Sequence, residues 1–178
     1  ALQLDPFIPV LHGLSSMYYY NDGKLKESLD ECRIVQELDP EYGNRTNHWQ
    51  EFKIYLKQKE EMLALAALQK ALYIDTLNAI NPNVVVAVYN NSGINGLWNW
   101  LIELELQKSK PSPLTLAGMY SRIDKKGEAL TWLEKAFEDP PPGFARININ
   151  PDFDNIRSEP RFQAIIKKMG LSEYQTPK

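Results

Sequence analysis

The chain has 178 residues, 43% hydrophobic and 24% charged, with 20 basic against 23 acidic side chains, 12 Pro, 9 Gly, one Cys and two His. A single cysteine excludes an internal disulfide framework and a zinc site built from cysteines, and two histidines leave any metal centre dependent on carboxylates. A net charge of −3 supplies no basic field for nucleic acid or an anionic membrane, no stretch nears the roughly 20 apolar residues of a membrane span, and Ala1-Leu2-Gln3-Leu4-Asp5-Pro6 is no signal peptide, so a soluble, reduced, cytoplasmic chain is expected.

Leu4-Asp5-Pro6 recurs as Leu38-Asp39-Pro40, an offset of 34 residues, and each triplet reads as a last buried residue followed by a helix-stopping proline. Residues 1–6 then look like the end of a preceding unit. Over 9–40, the turn Asn21-Asp22-Gly23-Lys24 separates one helix, Val10 to Tyr20, from a second, Leu25 to Leu38. Over 45–76, Trp49, Phe52 and Tyr55 mark a first helix, and Ala64, Leu68, Ala71 and Leu72 mark a second built almost wholly of strong helix formers. Over 111–140, Leu116, Ala117, Tyr120, Gly127, Ala129, Leu130, Trp132, Leu133, Ala136 and Phe137 repeat the small and aromatic spacing, and Pro140 to Pro142 stop the helix. Ala64 and Ala129, like Ala71 and Ala136, are 65 residues apart, three short of two 34-residue periods. A degenerate unit over 82–108 is therefore expected between them, with helices from Pro82 to Asn91 and Ile94 to Lys108 broken at Ser92-Gly93. Over 144–174, Phe144 to Ile149 reads as extended or irregular and Asp152 to Ile156 as a short turn. A helix then begins at Ser158-Glu159-Pro160 with Ser158 as N-cap, and it presents Phe162, Ile165, Ile166 and Met169 before Gly170 ends it. Gln175 to Lys178 reads as a frayed tail.

These marks together resemble the tetratricopeptide repeat. Ser16, Tyr19, Gly23 and Ser28 fall where that family has close-packing residues, an aromatic and a turn, although serine stands where alanine or glycine is commoner. The resemblance implies an all-α, right-handed superhelical solenoid of helical hairpins, closed by a C-terminal capping helix that covers the last apolar face. The run from Ala117 to Leu171, with Gly127-Glu128-Ala129-Leu130-Thr131-Trp132 and Asn150-Pro151-Asp152-Phe153, is similar to the C-terminal repeat region of multidomain bacterial signalling proteins and transcriptional regulators. It implies an upstream DNA-binding or effector domain. It also implies a non-enzymatic interaction or regulatory role, with no catalytic residue, cofactor or metal. The alternatives are a stand-alone adaptor for complex assembly and a helical receptor for a small ligand.

In such an array the first helices line a concave groove. The resemblance places Met17, Tyr20, Asn21, Trp49, Lys53, Lys57, Leu114, Ser121 and Arg122 there, facing solvent, with mixed aromatic, amide and basic character suited to an extended peptide carrying an acidic group. The partner expected is a protein or peptide, or a second copy of the chain. Trp98 and Trp100, two residues apart on one helix, point to different faces, so either their unit is enclosed on two sides or one indole is a partner anchor. The small-ligand alternative would use this region. Cys32 reads as a buried inert thiol, and His12 and His48, at equivalent places on successive first helices, read as packed side chains. Asp152 and Asp154 lack further carboxylates at cation-loop spacing and read as turn and capping residues.

Overall fold

The structure is a computed structural model that describes residues 7–75, 80–81 and 83–171, with backbone alone at 44–46 and 75. The expected closing turn over 1–6 and the tail from Gln175 lie outside the described residues, as does Pro82. Among the described residues all regular structure is helical, and no helix is long and apolar enough to cross a membrane. Chain contacts divide the molecule into two compact units, one ending at Asn90 and the other beginning at Asn91.

The first unit contains α1 (Pro9–Asn21), α2 (Leu25–Leu38), α3 (Pro40–Gln58) and α4 (Glu61–Asp75). Helix α1 packs on α2, α3 on α4, and α2 and α3 on each other. The second unit contains α6 (Pro113–Arg122), α7 (Lys126–Glu138), short 3-10 turns at Phe144–Arg146 and Pro151–Phe153, and α8 (Pro160–Lys168). Between them in the chain, α5 (Asn83–Leu106) is broken at Gly93, whose φ of 63° and ψ of −167° lie in a region only glycine enters without strain. The break falls at Ser92-Gly93, where the sequence puts it.

Three helix pairs close through the same turn. The backbone N–H of Lys24 donates to the carbonyl of Tyr19, that of Glu60 to Tyr55 and that of Lys125 to Tyr120, at 2.8, 2.9 and 3.0 Å. Each bond spans five residues and needs a left-handed residue just before the donor. Gly23, Lys59 and Asp124 supply it, with φ of 76°, 62° and 59°. Only the first of these is announced by a glycine.

Counting from those tyrosines, burial also repeats. Ser28, Leu29, Cys32 and Val35 on α2 correspond to Ala64, Leu65, Leu68 and Ala71 on α4, and to Ala129, Leu130, Leu133 and Ala136 on α7. All twelve are buried. The first two registers are 36 residues apart, from Tyr19 to Tyr55, rather than 34. The Leu38-Asp39-Pro40 mark is where the two counts part. Pro40 does not merely end α2; it is the first residue of α3, and the Asp39 carboxylate caps that helix by accepting from the Tyr42 N–H at 3.0 Å. The helical pair α3–α4 thus begins at Pro40, five residues before the repeat expected over 45–76.

The crossing of α1 and α2 explains the serines. The Ser16 hydroxyl donates to the Ser28 carbonyl at 2.9 Å and the Ser28 hydroxyl to the Ser16 carbonyl at 2.7 Å. Small side chains let the backbones approach, and the reciprocal bonds satisfy both buried hydroxyls.

In the second unit, Phe144, Ile147, Phe153 and Ile156 from the turns and Phe162, Ile165 and Ile166 from α8 close over the apolar faces of α6 and α7. The segment expected to be extended is a 3-10 turn opened by Gly143 at φ 89°. Ser158 is not the N-cap: Glu159 holds that position without a side-chain cap, Pro160 occupies the first helical turn, and the Glu159 carboxylate accepts from Lys126 at 3.0 Å. Arg161 meets Glu134 through two bonds of 2.9 and 2.7 Å, and this pairing holds the Glu134 carboxyl below its ordinary range. Exposed pairs of this kind contribute only about 0–1 kcal/mol, whereas truncating a buried phenylalanine costs about 3–5 kcal/mol. The core therefore holds α8 in place. Phe162→Ala should lower the stability of the second unit by about 3–5 kcal/mol in urea denaturation, with Arg161→Ala costing under about 1 kcal/mol; the reverse order would contradict this account.

Candidate binding groove

Helix α1 has one buried side and a second, partly exposed apolar side. One side carries His12, Ser16 and Tyr20, at helical spacing and buried. The other carries Val10, Leu14 and Met17, of which Val10 and Leu14 remain 46% and 38% exposed. Between this second side and α3 lies a cavity of about 310 Å³, lined by Val10, Gly13, Leu14, Ser16 and Met17 from α1 and by Tyr42, Asn47, Trp49, Gln50 and Lys53 from α3. Its volume is at the low end for a specific binding site, and the exposed Val10 and Leu14 show that it opens to solvent.

Beneath the cavity the two helices are held by polar contacts. Besides its bonds to Ser28, the Ser16 hydroxyl is 3.1 Å from the Cys32 sulfur, and the Asn47 amide donates to the Cys32 carbonyl at 2.6 Å. Burial pushes the Cys32 thiol up to about 11, partly offset by the bond to Ser16. The thiol is protonated at neutral pH and is not a nucleophile. The Lys53 and Lys57 ammonium groups of α3 lie 5.2 and 4.8 Å from the centre of the buried Tyr20 ring, an arrangement worth about 0.5–2 kcal/mol per cation. Trp49 meets Phe52 edge-on at 6.1 Å.

One group in the lining is unsatisfied. Gln50 is 8% exposed, and its Nε2 is buried without a hydrogen-bond partner. Such a donor costs about 1–3 kcal/mol when left unmade. Among the described residues of the lining, Lys53 alone carries a charge.

His12 and His48 sit in the same register, each seven residues before its turn tyrosine, and both are buried. Each Nδ1 meets a carboxylate, Glu31 at 2.5 Å and Glu51 at 2.8 Å. Among the described residues, no group of three His, Cys, Asp or Glu side chains could hold a metal ion.

Of the residues expected in the groove, Met17, Trp49 and Lys53 do line the cavity, Lys57 is exposed but outside the lining, and Asn21 is half-buried at the end of α1. Tyr20 does not face solvent: it is 1% exposed and packs with Leu29, Cys32 and Ile54. The three residues from α6 form no open wall, because the closing segment covers them. Ser121 is buried, its hydroxyl donating to Asn155 Oδ1 and its carbonyl accepting from Asn155 Nδ2. Arg122 pairs with Asp152, and Leu114 packs against the core of the second unit. Asp152 and Asn150 act in the turn, the Asn150 carboxamide accepting from the Asp152 N–H at 3.0 Å.

Trp98 is not an exposed anchor; it is 5% exposed, with the Arg122 guanidinium 5.0 Å from the ring centre. Trp100 is half-buried. Sequence reasoning missed Val10, Gly13, Leu14, Tyr42, Asn47 and Gln50. The spacing of Val10, Leu14 and Met17 was a readable apolar stripe, whereas nothing in the sequence marks Gln50 as buried and unpaired.

No protein-family model, curated protein or solved structure matches the chain.

Cys32 provides a test of the floor. Thiol labelling at pH 8 should be at least roughly 100-fold slower in the folded chain than in urea. Because the folded thiol titrates above the unfolded one, its contribution to stability is complete below pH 9.0 and is lost as the pH rises toward about 11. Denaturation midpoints of the wild type and Cys32→Ala should therefore converge or cross over that interval.

Proposed function

We propose that the chain is a non-enzymatic protein-interaction module of tetratricopeptide-like helical pairs, and that the cavity between α1 and α3 is where it receives a segment of a protein partner. The carrying observation is that cavity: about 310 Å³, apolar on the α1 side, and continued outward by the exposed Val10 and Leu14. The matching turns at Gly23, Lys59 and Asp124, and the matching burial on α2, α4 and α7, support the repeat reading. The likeness of the run from Ala117 to Leu171 to the repeat regions of multidomain bacterial regulators supports a regulatory setting, with a DNA-binding or effector domain as the element regulated. An elongated apolar rim suits a polypeptide better than a small ligand, since it offers contact beyond the cavity itself.

Panning a random-peptide display library against the 178-residue chain tests this reading. Enriched peptides should bind in solution and lose roughly 10-fold or more affinity for Leu14→Glu and Met17→Glu. Leu14→Glu, at a partly exposed site, should keep the wild-type melting temperature within the effect of about 0.5 kcal/mol usual for surface changes. A selection that yields no peptide sensitive to these variants would overturn the groove assignment.

A further inference from the structure

Helix α1 exposes an apolar stripe whose counterpart on α3 is buried. Val10, Leu14 and Tyr18 follow one another at four-residue spacing, so they lie along one side of α1, and all three are exposed. In the register set by Tyr19 and Tyr55, Leu14 and Tyr18 correspond to Gln50 and Ile54 of α3, both buried. Helix α2 covers that side of α3. The Asn47 amide reaches the Cys32 carbonyl, Ile54 packs with Leu29 and Cys32, and Gly43 comes so close that an added Cβ would lie 3.0 Å from Gln36 Cα. Contacts on α3 climb from Gly43 to Ile54 as those on α2 fall from Gln36 to Leu29, so the covering helix runs antiparallel. In α3 this side takes an antiparallel helix; in α1 it is open to solvent.

We propose that the helix taken up by α1 is the α1 of a second copy of the chain, paired antiparallel across a two-fold axis that passes beside Leu14. Two features select a second copy. The stripe is its own complement: a two-fold contact is reciprocal, and reversing equal steps of four sets Leu14 against the partner's Leu14 and Val10 against the partner's Tyr18. Such rows of residues four apart interdigitate in the commonest mode of helix packing. The second feature is charge. From Pro9 to Asn21 the helix carries no Asp, Glu, Lys or Arg, so the reversal brings no like charges of α1 face to face, a juxtaposition that opposes association. Val10 and Leu14 also line the cavity, whereas Tyr18 does not. The pairing therefore goes beyond the reading of the groove as a peptide site and does not depend on it.

Sedimentation equilibrium of the full chain from roughly 5 to 500 μM should show a monomer–dimer equilibrium. Tyr18→Glu should weaken the dimer by roughly 10-fold or more with helix content unchanged; a dimer indifferent to it would overturn the proposal. The axis is tested by air oxidation of single cysteines, Cys32 being buried. With Leu14 on the axis and a rise of about 1.5 Å per residue, the two copies of residue 18 stand about 12 Å apart along the helix, beyond the reach of a disulfide. Leu14→Cys should therefore form an intermolecular disulfide roughly 10-fold faster than Tyr18→Cys. Random collision predicts the opposite order, since residue 18 is 56% exposed and residue 14 only 38%, and equal rates or faster linking at 18 would overturn the two-fold pairing. A chain that stays monomeric throughout would also overturn it, while selected peptides lost with Leu14→Glu but kept by Tyr18→Glu would leave the groove reading standing. A dimer with no groove-dependent peptide would support the pairing and remove the peptide reading.

Discussion

Three helix pairs of this chain depend on one backbone event, a residue turned into the left-handed region so that an N–H can reach back five residues to a tyrosine carbonyl. That bond sets the angle at which the second helix returns, and the return fixes which residues of the two helices meet. Once Gly23, Lys59 and Asp124 adopt this conformation, the same four positions of the second helix face inward in all three pairs. At two of the three turns a side-chain-bearing residue takes the conformation, at some intrinsic cost. Packing of the helices it joins must offset that cost, because a short isolated helix pair has little else to hold it.

In the first pair the same geometry creates the site. Serines at the crossing bring α1 and α2 close and satisfy their own hydrogen bonds. Burial of His12, Ser16 and Tyr20 uses one side of α1 and leaves Val10, Leu14 and Met17 toward α3 and solvent. The groove is thus a consequence of a helix with more apolar surface than its two neighbours cover.

Much of the fold was legible in the sequence because helix formers, turn residues and 3.6-residue spacing are local. The extents of α1 and α2, the break at Gly93 and the inward faces of α4 and α7 all follow from such signals. The 34-residue period failed for a local reason as well. A proline marks the end of one helix or the start of the next equally well, and only the capping bond from Asp39 decides between them. Site residues were legible where periodicity alone sufficed, as at Met17, Trp49 and Lys53. They were illegible where tertiary packing decides: Tyr20 lies beneath two lysines, and Ser121 and Arg122 beneath a segment more than 25 residues further along the chain. Burial without a partner, the property that singles out Gln50, is a three-dimensional fact with no sequence signature.

The closing segment of the second unit has one further meaning. Where α6 would offer its own open face, Asn155 reads both the hydroxyl and the carbonyl of Ser121, and Asp152 holds Arg122. That surface is covered by a segment tethered to it through the chain itself, which gives the covering groups a high effective concentration. It remains occupied and is removed from competition. The face of α6 thus serves the cohesion of the second unit.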